Sequence, residues 1–433
     1  MNPLETIVAI QQWILSFWWL WLFLVFSFLA KELWLAYVQE YYKRAMRWTM
    51  LEVRVPRELR RSPRAMEQIF SSIHGLRNTP SNPKEEWWDG EVTMWFSCEV
   101  VSFGGELHFY LKVPEKHRNL IEAAFYAQYP DVDISEVSED YIRRLPQSYA
   151  ELQKQGYDLF GSELSLVKHD AYPIRTFMDF EDNEEDRQLD PISSLLELLA
   201  KIKSQEYLWV QILVRPVGDG WKKEGEEVIR ELKEKAKTEF TSEKTGRVTF
   251  TERSPGEMET MKAIERCLAK PGFDTVIRYV YVSPKDMIVD TYARRGTAAA
   301  FNQYGSESLN KFQNNVKSWT RADIWHFPHF FPGKRKIARK ENVYRSYRKR
   351  KMHEEHFTQQ ILDIKAFHWG IAAQKSRMIL NTEELATIFH PPTFAVLTGP
   401  IIKRVEARRV GPPAGLPIYG QEGESEELPG MKK

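Results

Sequence analysis

The sequence predicts an α+β protein carried on one N-terminal membrane-spanning helix. Two observations predict this. An uncharged apolar run opens the chain, and behind it strands and helices follow one another in a β-α-β-β-α-β order. The chain has 433 residues, with 61 Lys and Arg against 60 Asp and Glu. That length suits about two or three domains. Its composition excludes wholesale disorder, a collagen-like fibre and a polytopic channel. A net charge of +1 excludes a uniformly basic nucleic-acid binder, though not a basic patch. Two cysteines, Cys98 and Cys267, are too few for a disulfide framework or a four-cysteine zinc site. Both read as inert apolar residues.

The opening run, residues 13–30, is WILSFWWLWLFLVFSFLA, in which Ser16 and Ser27 are the only polar residues. At 1.5 Å per residue it spans about 27 Å, close to a hydrocarbon core of about 30 Å. Trp13, Trp18, Trp19, Trp21 and Trp34 are the expected anchor residues, with Trp13 and Trp34 suited to the two interfacial belts. A cleaved signal peptide would want a basic leader and a small-residue cleavage site. Here the leader holds Glu5 and no Lys or Arg, and no A-x-A pattern follows. Lys31, Lys43, Arg44 and Arg47 lie after the span and nothing basic lies before it. The positive-inside rule therefore puts the N-terminus outside and the large C-terminal part in the cytoplasm, at the inner membrane. The helix is expected to run on to Trp48 as a stalk.

Leu51, Val53 and Val55 alternate with charged residues, the period-2 mark of a strand. Ser62-Pro63 opens a helix with Met66, Ile69, Phe70 and Ile73 on one face. Val92 to Val100 and Leu107 to Val113 alternate on either side of Gly104-Gly105, a hairpin signal. A helix with Ile121 and Phe125 and a short strand with Val132 and Ile134 complete the set. The order is that of a ferredoxin-like unit, with helices expected on one face of its sheet. Its halves look alike: LEVRVPRE and FYLKVPEK each lead into a helix.

A second ferredoxin-like domain with long helical insertions is expected next. Ile174, Thr176 and Met178 suggest its first strand, Asp190-Pro191 a helix start, and Leu208 to Val214 and Val276 to Val282 further strands. Its last strand is expected from Phe394 to Ile401. The expected boundaries are a tail at 1–12, the span at 13–30, the stalk at 31–48 and the first domain at 49–140. A connector at 141–168 and the second domain at 169–302 follow. Then come a basic excursion at 303–375, a helix and strand completing the second domain at 376–410, and a disordered Gly, Pro and Glu-rich tail at 411–433.

Within the excursion, residues 334–351 carry ten Lys or Arg in eighteen positions, with Tyr344 and Tyr347 interleaved. A solvated face, an anionic-lipid contact and a nucleic-acid contact all fit such a stretch. The candidate contact residues are Lys334, Arg335, Lys336, Arg345, Arg348, Lys349, Arg350 and Lys351. His326, His329, His353 and His356 do not make H-E-x-x-H and read as surface histidines. There is no P-loop, no G-x-G-x-x-G after a strand and no G-x-S-x-G. No catalytic, cofactor or metal residue is assigned, and no enzyme activity is expected.

The phrases LEVRVPRELRRSPRAMEQIFSSIHG, GELHFYLKVPEKHRNLIEAAFYAQYPDVDISEV and MILNTEELATIFHPP resemble an uncharacterised family of bacterial membrane proteins. That family is similar to the N-terminal, non-ATPase region of conjugation-type (type IV secretion) DNA-translocation ATPases. In such relatives the NTEELATIFH helix and a PP..LP segment lie just before the nucleotide-binding domain, and Pro412, Pro413, Leu416 and Pro417 match that segment. The resemblance runs from Trp48 to about Pro417. It implies a membrane-tethered scaffold or accessory component without an ATPase domain of its own, docking a separately encoded ATPase. The alternative expectation is a membrane-tethered nucleic-acid-binding protein using residues 334–351. The expected partners are the lipid bilayer, that ATPase and, on the alternative, DNA; a homo-oligomer is left open.

Overall fold

The computed structural model describes residues 16, 18–56, 59, 61–180, 189–238, 254–288, 290–316, 318–325, 329–352 and 378–393. Helix α1, Trp18–Ala45, is 28 residues long, about 42 Å at helical rise. No Gly or Pro interrupts it, so the span continues into the stalk as one rod, which stops at Ala45 because Trp48, expected at its end, opens strand β1. Its side chains from Trp18 to Leu29 are exposed, whereas Leu35, Val38 and Gln39 are buried. This helix is long and apolar enough to cross a membrane.

Nine strands form one sheet among the described residues, ordered β4-β1-β3-β2-β6-β7-β5-β8 with β9 on β7. They are β1 Trp48–Arg54, β2 Phe96–Phe103, β3 Glu106–Pro114, β4 Asp133–Glu136, β5 Tyr157–Leu166, β6 Tyr207–Pro216, β7 Gly272–Pro284, β8 Phe312–Asn314 and β9 Met378–Asn381. Every pairing is antiparallel. The β2–β3 hairpin turns on Gly104 and Gly105, both at positive φ, as the sequence predicts. The seam between the first four strands and the rest is the β2–β6 ladder, from Phe96↔Val214 to Phe103↔Tyr207. The two halves thus share one sheet.

The second half differs from expectation in its first strand. Residues 157–166, expected within a connector, form β5, and Ile174 to Met178 is not a strand. The reason is local. The Ile174 N–H donates to Glu384 and the Phe177 N–H to the Thr387 hydroxyl, so this segment is tied to helix α10, Thr382–Ile388, rather than to a ladder. Part of the expected excursion, β8, edges the sheet on β5. The expected strand from Phe394 to Ile401 and the tail at 411–433 lie outside the described residues, and β9 pairs with Gly272–Thr275 of β7, where β5 does not reach. A capping box opens α10, Asn381 and Glu384 each accepting from the other's backbone.

Helices cover both faces of the sheet, not one. On the first face lie α2 (Arg64–His74), α3 (Arg118–Gln128), α5 (Ser193–Ala200) and α8 (Asp290–Asn302), together with α10. The second face carries Met50, Tyr110, Val101, Trp209, Val280 and Leu159, and is covered by Tyr141, Tyr149, Leu152 and α9, Pro332–Arg348. Strands buried on both sides read as near-continuous apolar runs, and Val276 to Val282 is such a run. Helices α6 (Gly220–Thr238) and α7 (Pro255–Leu268) are the inserted pair, and α4 is Tyr149–Lys154.

Candidate functional site

A row of polar residues crosses the second face. Ser135, Glu52, Tyr110, Glu99, Gln211, Arg278 and Glu163 stand directly opposite one another on β4, β1, β3, β2, β6, β7 and β5. Opposed residues of a ladder share a face, so this is one continuous line. Gln211 donates to Glu99 at 3.0 Å. Arg278 donates to Gln211 at 3.2 Å and to Glu163 at 2.9 Å.

The end of the basic stretch drops into this row. Arg350, at positive φ and 5% exposed, donates from Nε to Glu99 at 2.6 Å and from Nη1 to Asp140 at 2.7 Å. Tyr141 donates to Glu99 at 2.7 Å and shares a bond with Tyr347 at 2.8 Å. Burial works against the Arg350 charge, but Glu99 and Asp140 hold its pKa well above the usual range. Burial likewise raises the Tyr141 and Tyr347 hydroxyls. Burial opposes ionisation of Asp140, and Arg350 and Lys112 outweigh it, leaving that carboxyl below its ordinary range. Glu99 accepts from Ser97, Tyr141, Gln211 and Arg350. Buried from Glu99 through Gln211 and Arg278 to Glu163 and hydrogen-bonded along that length, the row ties the two sheet halves together.

The other candidate basic residues divide. Arg335 is buried, Lys336, Arg348 and Lys351 are half-buried, and Lys334, Arg345 and Lys349 are exposed. Three of the candidate contact residues, Arg335, Arg348 and Arg350, have guanidinium groups that bond internal oxygens. The residues at the α9 surface with the largest apolar exposure are others. Arg335 donates to the Phe330 carbonyl at 2.7 Å and to the Asp323 carbonyl at 2.9 Å. Arg339 donates to the Arg321 carbonyl at 2.7 Å. So clamped, the segment before α9 displays Ile324, Trp325, Phe330 and Phe331, and α9 adds Ile337. Trp325 is 88% exposed. Lys334 stands 5.4 Å above the Phe331 ring. His329 bonds the Ile324 carbonyl at 2.8 Å; His326, His353 and His356 lie outside the described residues. The sequence signal was IWHFPHFF, an aromatic run with neither helical nor strand period.

Among the anchor residues, Trp18, Trp19, Trp21 and Trp34 are exposed and Trp13 lies outside the described residues. Helix α1 docks on the body through a single π-helical turn, Glu85–Asp89. Trp34 Nε1 donates to the Trp87 carbonyl at 2.8 Å, and the Lys31 ammonium lies 5.0 Å from the Trp87 ring centre. Gly90, at φ 65°, ends the turn so close to α1 that a Cβ there would meet the Val38 carbonyl.

Among the described residues, no three His, Cys, Asp or Glu side chains gather to hold a metal. Together these features define an α+β protein with one antiparallel sheet and a candidate membrane helix. Residues 29–400 match the family described as a domain of unknown function, DUF8128. That is more than half of the chain, and the chain belongs to this family. No curated protein matches it.

Proposed function

We propose that this protein is a single-pass membrane scaffold whose cytoplasmic body docks a separately encoded ATPase of a conjugation or type IV secretion-like system. The observation that carries the scaffold reading is the clamped aromatic loop, which presents Trp325, Phe330 and Phe331 to solvent while buried arginines hold its backbone. The choice of ATPase rests on the sequence resemblance. Retention of α1 as an anchor is supported by its continuity: the apolar run passes without a break into the stretch where Leu35 and Val38 are buried and Trp34 bonds the Trp87 carbonyl. Lys43 and Arg44 in its last turn support a cytoplasmic body. We read each half of the sheet as a ferredoxin-like unit, since β4-β1-β3-β2 and β8-β5-β7-β6 follow the same order within their halves.

Nucleic-acid binding through residues 334–351 has less support, because Arg335 and Arg350 bond internal oxygens. The test is capture of partners by the full chain, solubilised in mild detergent from its native host. A P-loop ATPase lost on Trp325→Ser with Phe330→Ser supports the reading. Nucleic acid retained without an ATPase sinks it.

A further inference from the structure

We propose that the Glu85–Asp89 turn is a second bilayer contact, seating Trp88 in the neutral headgroup layer beside the anchor. The inference rests on the reading of α1 as a retained anchor. Trp88 is 71% exposed, on a turn that carries no buried residue. Its place is set by its neighbour. Trp87 meets Lys31 and Trp34, and Lys31 is the first charge after the apolar run. Lys31 and Trp34 are one helical turn apart, about 5 Å along the axis. The interfacial layer is about 5–7 Å deep on each side of the hydrocarbon core. Trp88 is one residue, about 3.8 Å of backbone, from Trp87. An exposed indole is thereby held at the height of the layer that tryptophan favours.

The turn is built to stay there. Gly90 supplies the positive φ and the bare Cα that let it close on Val38. Trp34 and Tyr37, with ring centres 6.0 Å apart, lie exposed on α1 beside it. The turn sequence is acidic, with Glu85, Glu86 and Asp89. Carboxylates are repelled by anionic headgroups, which assigns the contact to zwitterionic lipid. Two points of attachment, helix and turn, fix the tilt of the body where one helix alone would leave it free to swing.

The experiment places a nitroxide on the full chain in phosphatidylcholine nanodiscs and compares relaxation by oxygen with relaxation by a water-soluble nickel chelate. Cys98 and Cys267 are buried, so single introduced cysteines take the label. Labels go on Trp88→Cys, on Leu24→Cys in the apolar run, and on Lys154→Cys in α4. Lys154 is exposed just before β5, whose start lies at the opposite end of the sheet from the start of β1. The expected result is an oxygen-to-nickel ratio at position 88 between those at 24 and 154, at least about threefold above the latter. A ratio at 88 equal to that at 154, with 24 in lipid, overturns this inference alone. A ratio at 24 equal to that at 154 overturns the anchor reading and this inference with it.

Discussion

Arg350 is one half of a buried ion pair with Glu99. Removing one partner of a buried ion pair costs about 3–5 kcal/mol, because the other charge is left without water or counter-ion. Arg350→Met should therefore destabilise the detergent-solubilised protein by about that amount in urea unfolding, whereas Lys349→Ala should stay within about 0.5 kcal/mol. Glu99→Gln added to Arg350→Met should recover part of the loss, and no recovery would remove the ion pair as its cause. Glu384 makes a pH prediction. Burial pushes its carboxyl from 4.5 up to about 8, against the N–H bonds from Asn381 and Ile174. A raised folded-state pKa contributes stability below the unfolded value that is lost as pH rises through the folded one. The urea midpoint should thus fall from about pH 5 to pH 8, and Glu384→Gln, which keeps the capping box, should flatten that fall. An identical slope in both proteins would contradict the assignment. Neither Glu99 nor Arg350 was legible in the sequence as the other's partner. Glu99 and Arg278 stand out there only as charges at inward positions of apolar strands, and Arg350 lies 251 residues from Glu99.

At the scale of elements, alternation identified the strands wherever one side was plainly apolar. Residues 51–55, 92–100, 107–113 and 208–214 were readable in this way, though β1 starts earlier, at Trp48, and β2 later, at Phe96. Strand β5 was not, because Gly161 and Glu163 interrupt its pattern. Both are explained by distant neighbours. A Cβ at 161 would come within 2.8 Å of Val343 on α9, and the Glu163 carboxylate bonds Arg278. The helix over 334–348 was readable as basic, but its buried face depends on a second covered side of the sheet that the one-face expectation lacked. Gly90 gives the element-scale prediction. Gly90→Ala meets both a positive φ and the Val38 carbonyl, and should undock the turn at a cost of about 1–3 kcal/mol. Limited proteolysis between residues 78 and 92 should then speed up; unchanged cleavage would show that the contact does not hold the turn.

Over the whole molecule, one sheet joins two halves through the β2–β6 ladder, and the buried row beneath α9 ties them again. Local pattern showed two sets of strands but not their union, since edge pairing leaves no mark at the scale of a few residues. The aromatic run at 324–331 went unassigned for the same kind of reason. Its meaning depends on Arg335 and Arg339 holding the backbone from α9. This arrangement holds the backbone at Asp323 and Phe330, beside the exposed Trp325, Phe330 and Phe331. The most direct measurement is quantitative mass spectrometry of what co-purifies with the full chain and with its Trp325→Ser, Phe330→Ser variant, both extracted in mild detergent at matched stability. A P-loop ATPase should come down with the native chain and fall at least about tenfold with the variant, equivalent to about 1.4 kcal/mol or more of binding. Equal capture by the two chains, or no ATPase with either, would contradict it.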